Sequence, residues 1–146
     1  MISKEMIAHF AGDQIIKLDL MNMASTMYHV VSDSLLVGEN KASGDTIAID
    51  FQERDIKRIQ VTGGARGEFI PEGSNTKVDT TIIYGADYID YHIDEEMSFL
   101  SNGAFVEYQN TRLSAGKIVI NWQTNILDAI LLKDEYPTVK TNGEEP

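Results

Sequence analysis

From about residue 45 onward the apolar residues of this chain recur at every second position, a period that extended strands with one buried face satisfy and helices do not. Ile47, Ile49 and Phe51 alternate with Ala48 and Asp50, Ile89, Tyr91 and Ile93 with Asp90 and His92, and Ile118, Ile120 and Trp122 with Val119 and Asn121. Between such segments lie turn signals: Gly38-Glu39-Asn40, Ser43-Gly44-Asp45, Gln52 to Asp55, Gly63-Gly64, Pro71 to Asn75, His92 to Glu96, Ser101-Asn102-Gly103 and Gln123-Thr124-Asn125. A spacing of about 8 to 12 residues between turns suits a sandwich, barrel or jelly roll. Helix is placed only over residues 3 to 10. The Met-rich stretch 21 to 31, where Met27, His29 and Val31 alternate with Tyr28 and Val30, reads as a strand.

At 146 residues the chain fits one domain, long enough to bury roughly two thirds of the surface its unfolded form would expose. No apolar run approaches the roughly 18 residues of a membrane helix, so a water-soluble domain is expected. Twelve basic against 23 acidic side chains give a net charge of -11. That charge repels phosphate backbones, and no Lys/Arg cluster offsets it, so nucleic acid is excluded as a partner. The absence of cysteine rules out disulfides and thiolate metal sites. No apolar stretch of signal-peptide length precedes Gly12, which alone fits a cytoplasmic chain or a segment cut from a longer one. The polar C-terminal run PTVKTNGEEP is expected to be a disordered tail or linker.

The chain also repeats itself. An alternating strand, a polar turn, a second strand and a Gly-Ala turn into a third occur from Gly44 to Phe69, again from Gly85 to Tyr108, and in part from Ala115 to Leu132. Gly64-Ala65 matches Gly103-Ala104, and the register then holds: Ala65, Gly67 and Phe69 against Ala104, Val106 and Tyr108. Alanine at the first position and an aromatic ring at the third is the shared inward pattern. A strand-turn-strand unit cannot bury its apolar face alone, so the copies must stack or fold over one another around a common core.

Three of these segments, Ala86 to Tyr91, Ser101 to Val106 and Leu113 to Ile118, carry an A-D-x-I-x-Y strand, an N-G-A-x-V turn and a following L-x-A-x-x-I strand. Their order resembles the OstA-like domain of the lipopolysaccharide transport family, found in LptA and the N-terminal periplasmic part of LptD. The stretch Ser32 to Phe51, followed by GGARGEF, resembles the LptD-type region, and the likeness covers roughly residues 25 to 132. The polar insertion Glu72 to Thr80 is closer to LptD than to the compact LptA pattern. The resemblance implies an all-β jellyroll of two opposed antiparallel sheets, built from degenerate strand-turn-strand repeats, with a groove that shields lipid A acyl chains. It implies a periplasmic location, lipopolysaccharide as ligand, other OstA-like domains or further copies of this chain as partners through edge strands, and no cofactor. The expected organisation is a partly ordered N-terminal segment over 1–24, the jellyroll over 25–132 and the tail over 133–146.

Candidate groove residues are those on the inward face. The first copy offers Ile47, Ile49 and Phe51, then Ile59, Val61 and Phe69. The second offers Ile89 and Tyr91, then Val106 and Tyr108 beyond the small Ala104, and the third offers Ile118, Ile120 and Trp122. Each is equally readable as dry core, and sequence does not separate the two. A scaffold of stacked repeats without lipid binding is therefore the alternative function.

Catalytic signals are absent. His9, His29 and His92 are scattered, with no H-E-x-x-H pair to hold a metal. Asp94-Glu95-Glu96 lacks the spacing of a calcium loop and reads as a solvated hairpin tip, with His92 beside it on the polar face. Gly63 to Gly67 has neither the Lys nor the following helix of a phosphate loop and reads as a turn or bulge entering a strand. No G-x-S-x-G elbow marks a nucleophile, and a double-stranded β-helix enzyme would need an inward His beside an inward carboxylate. A non-enzyme is expected.

Overall fold

The computed structural model describes residues 1–32, 35–72 and 81–141. The described residues form nine strands: β1 (Glu5–Ala11), β2 (Gln14–Ser32), β3 (Leu35–Gln52), β4 (Asp55–Pro71), β5 (Ile82–His92), β6 (Met97–Tyr108), β7 (Thr111–Asn121), β8 (Ile126–Ile130) and β9 (Thr138–Thr141). They pair antiparallel in chain order from β1 to β8, and β9 pairs with β7.

Every long strand is interrupted at the same level. The pairing register shifts between Met21 and Ala24, Ser43 and Thr46, Thr62 and Ala65, Gly85 and Tyr88, and Ser101 and Ala104. On β2, β4 and β6 a left-handed pair sits there: Asn22–Met23 (φ 65° and 64°), Gly63–Gly64 (85° and 55°) and Asn102–Gly103 (67° and 64°). Opposite each pair β3, β5 and β7 leave a single residue unpaired: Asp45, Asp87 and Gly116. Bulges bend a strand and sharpen its twist, and glycine or asparagine tolerates the left-handed backbone they require. Aligned across the sheet, they form a crease.

The crease divides the sheet into two opposed leaves. The first comprises β1, residues 14–21, 46–52, 55–62, 88–92, 97–101 and 117–121, and β8; the second comprises residues 24–32, 35–44, 65–71, 82–86, 104–108 and 111–115, and β9. β7 shows the division directly, since Lys117–Asn121 pair with β8 and Thr111–Ser114 with β9. The expected jellyroll of opposed antiparallel sheets is thus present, with the same strands running through both.

Side-chain size follows distance from the crease. Beside it on the second leaf stand Ala24, Ala65, Ala86, Ala104 and Ala115, all buried, where the leaves converge and only a methyl fits. One row out lie Thr26, Ala42, Gly67, Tyr84, Val106 and Leu113; two rows out lie Tyr28, Asn40, Phe69, Ile82 and Tyr108. Gly67 is small for a specific reason, because a Cβ there would run into the Tyr84 ring. The facing leaf supplies Leu20, Ile47, Val61, Ile89, Leu100 and Ile118 in its nearer row.

Several sequence expectations are corrected. Residues 3 to 10 hold no helix: Glu5 to Ala11 form β1, pairing with β2 from Gln14 to Met21. Its neighbouring strand rather than its own propensity decides its state. The sheet therefore passes the expected boundary at residue 24, and at the other end it passes residue 132, since Thr138–Thr141 pair with β7. Residues 142–146 of the expected tail, and the insertion beyond Glu72, lie outside the described residues. Gly38-Glu39-Asn40, Ser43-Gly44-Asp45 and Ser101-Asn102-Gly103 are not chain reversals, because they lie within β3 and β6. The last two belong to the crease, as does the Gly63-Gly64 bulge, whereas Gly38 is small because a Cβ there would come within 2.5 Å of the Phe69 ring.

If left-handed backbone at the crease is what the fold needs, Gly64→Ala, where a Cβ meets nothing within 4 Å, should lower the unfolding free energy by about 1–2 kcal/mol through backbone strain alone. Asp87→Ala, exposed on the same crease without positive φ, should stay within about 0.5 kcal/mol of the parent. Urea unfolding of both variants measures the difference.

Candidate functional site: the interior between the leaves

All thirteen groove candidates lie on inner faces. Ile47, Ile49, Ile59, Val61, Phe69, Ile89, Tyr91, Val106, Ile118, Ile120 and Trp122 are buried, while Phe51 and Tyr108 are half-buried and pack against the rest. The structure joins them in one continuous apolar cluster spanning both leaves.

Aromatic rings bridge the leaves at the middle of this interior. Phe69 stacks on Trp122 with centroids 4.8 Å apart, Tyr84 lies 5.4 Å from Trp122, and Tyr28 meets Tyr91 edge-on at 5.6 Å. Their polar atoms satisfy one another. Tyr84 donates to Asn40 Oδ1 at 2.7 Å, the Tyr84 and Tyr91 hydroxyls share a bond of 2.8 Å, and Asn40 Nδ2 donates to the Tyr28 hydroxyl at 3.0 Å. Trp122 Nε1 donates to Ser98 Oγ at 2.8 Å. Burial pushes the Tyr28, Tyr84 and Tyr91 hydroxyls well above the usual phenol range, so they remain neutral at physiological pH.

Toward the C-terminal edge the packing opens. Tyr108, Leu113, Ile120, Trp122 and Leu127, with Ile82, Val106 and the polar Thr111, Thr124 and Asn125 at the rim, surround a cavity of about 410 Å³. At the opposite edge Met6 and Phe10 on β1 continue the inner face of the first leaf, paired with Leu20 and Ile15, and both are exposed. Apolar surface thus runs from one edge of the sheet to the other.

The outer face is polar. Arg58 grips Asp90 with two hydrogen bonds, at 2.8 and 2.5 Å, and His92 Nε2 lies 3.2 Å from the same carboxylate. Burial pushes Asp90 up, but the Arg58 and His92 hydrogen bonds outweigh it and hold the carboxyl below its usual range. His92 also tilts against Phe99 and reaches Glu95 at 3.8 Å. This is a cross-strand ion-pair cluster. Among the described residues no group of three His, Asp or Glu side chains is arranged to hold a metal.

Tyr28, Tyr84, Asn40, Leu113 and Leu127 are interior residues that the period-two reading missed. For Tyr84 and Leu113 the cause is parity. Inward positions on β5 are 82, 84 and 86 before the crease and 89 and 91 after it; on β7 they are 113 and 115, then 118 and 120. The unpaired Asp87 and Gly116 each flip the face, so alternation counted from Ile89 or Ile118 puts Tyr84 and Leu113 outside. On β4 and β6 the two-residue insertion preserves parity, and Phe69 and Val106 were found.

No protein-family profile matches the chain, and no curated protein matches it in sequence. Its fold is found among solved structures. LptH of Pseudomonas aeruginosa, described as the LptA-homologous periplasmic component of the conserved lipopolysaccharide transport device, superimposes with a TM-score of 0.68 over 97% of this chain and 92% of its own, at 14% identity. The chain therefore has the LptA-type jellyroll fold, the fold implied by the resemblance in its sequence.

Two substitutions probe this interior. Tyr84→Phe strips Asn40 and Tyr91 of a buried partner and should cost about 1–3 kcal/mol in denaturant unfolding. Because Asp90 titrates lower in the folded than in the unfolded chain, its stabilisation is present at neutral pH and is lost as pH falls through and below the ordinary Asp value of about 4. The stability gap between the parent and Asp90→Asn should accordingly be larger at pH 7 than at pH 3 in thermal melts.

Proposed function

We propose that this chain is a lipid-shielding domain of a lipopolysaccharide transport bridge, working in the periplasm and joined edge to edge with like domains. The observation that carries the reading is the apolar interior running from one sheet edge to the other in a jellyroll of LptH type. An acyl chain crossing water costs about 0.8 kcal/mol for each exposed CH₂, which a continuous apolar lining offsets without chemistry. In this reading chains lodge first at the open C-terminal cavity, against Tyr108, Leu113 and Leu127. They then displace the aromatic bridge further in. The free backbone groups of β1 on one side and of β8 and β9 on the other suit β-augmentation by neighbouring domains.

The closely packed middle of the interior, where Tyr84, Tyr91 and Trp122 are in contact, favours a second reading, a scaffold that stacks without lipid. Photo-crosslinking separates the two. With crosslinkers at Phe51, Tyr108 and Leu127 and outward controls at Lys41 and Asp128, titration with purified lipopolysaccharide should give saturable adducts at the inner positions alone. A folded domain that labels at none of them is a scaffold, and the conduit reading then fails.

A further inference from the structure

Asp90 and Glu96 are the buried carboxylates among the described residues, and Arg58 serves only the first. Glu96 closes the turn between β5 and β6 in a left-handed conformation, φ 51°. Its amide donates to Ile93 O at 3.1 Å, and its carbonyl accepts from the Trp122 amide at 2.9 Å. The side chain leaves the first leaf. Oε1 accepts from the backbone amide of Val31 at 3.4 Å, near the end of β2 on the second leaf, while Oε2 is sealed from solvent with no partner. Both ends of this contact lie away from the crease, at the mouth of the V.

A buried carboxylate with one long hydrogen bond and no cation is badly served when ionised. Burial pushes Glu96 up to about 7, Asp94 on the same turn adds repulsion, and the Val31 amide pulls the other way. Tyr28, the titratable group facing it from β2, stays neutral. His29 lies on the outer face of the second leaf, 3.7 Å from Glu39. The group thus changes charge within the neutral range at a place where its side chain ties the first leaf to the end of β2 on the second.

We propose that the Glu96 carboxyl is a proton-operated latch between the leaves, which holds the mouth of the jellyroll shut when protonated and releases it when ionised. The sign follows from the raised value: the stabilisation is complete below the ordinary Glu range and is lost as pH rises through about 7. Between pH 6 and 8 the ionised fraction rises about tenfold. That opening admits lipid rests on the function proposed above, whereas the latch itself does not.

Trp122, the single tryptophan, is bonded to the Glu96 carbonyl and reports the event. Its emission should shift to longer wavelength with a midpoint near pH 7 in the native chain, stay flat in Glu96→Gln, and titrate as in the parent in His29→Gln and His92→Gln. The Val31 amide resonance in the unaltered protein should titrate with the same midpoint, a measurement that needs no variant to fold. A Trp122 transition that survives Glu96→Gln, or a Val31 resonance that does not move, overturns the latch. Crosslinking to purified lipopolysaccharide at Phe51, which packs against the buried core and lies outside the open cavity, should rise several-fold from pH 6 to 8 in the parent only. Adducts with no Trp122 transition would sink the latch and leave the conduit, while a transition without adducts at any pH would sink the conduit alone.

Discussion

The whole architecture hangs on backbone that most residues avoid. Three pairs of left-handed residues, on β2, β4 and β6, each face one unpaired residue on the next strand, and because they fall at one level the sheet bends along a line. A continuous sheet with this much apolar surface on one face must cover it. Bending lets the sheet cover itself, so the hydrogen-bond ladder of each strand runs through both halves of the sandwich. The graded interior follows from the same geometry: alanine where the leaves meet, aromatics where they diverge.

Most polar atoms inside that V are handled locally, although Thr26 Oγ1 is buried without a partner. The tyrosine hydroxyls and Asn40 bond to one another, and Trp122 bonds to Ser98, so the bridge across the middle carries little desolvation penalty while it stays shut. Tyrosines also suit an interior that must part. Their hydroxyls can exchange one partner for another, and their rings offer large apolar faces to whatever enters. Glu96 stands apart from this economy, as the buried polar side chain whose charge state is unsettled near neutral pH.

The fold is shared with LptH at 14% identity, which is understandable if the fold is specified by pattern rather than by particular side chains. Alternation along strands, small residues beside the crease and Gly or Asn at every corner but Met23 are conditions that many sequences meet. The edges are a consequence rather than a choice: a meander folded in two still begins and ends in unpaired strands.

The sequence by itself determined the all-β class, because period-two alternation over Ile47 to Phe51, Ile89 to Ile93 and Ile118 to Trp122 has one structural solution, and the repeat placed Gly64-Ala65 and Gly103-Ala104 in equivalent positions. It also put thirteen residues on the correct face, since those counts never crossed a single-residue insertion. What tertiary structure alone decided is where alternation changes phase. Asp87 and Gly116 look unremarkable in the chain, yet each flips the strand before it, which brought Tyr84 and Leu113 inside. The same is true of β1 and β9, whose short polar-flanked segments extend only because a neighbouring strand offers a register. Glu96 read as a solvated hairpin tip because nothing in the turn reveals that another leaf lies above it; burial there is a property of the fold closing, not of the residues that make the turn.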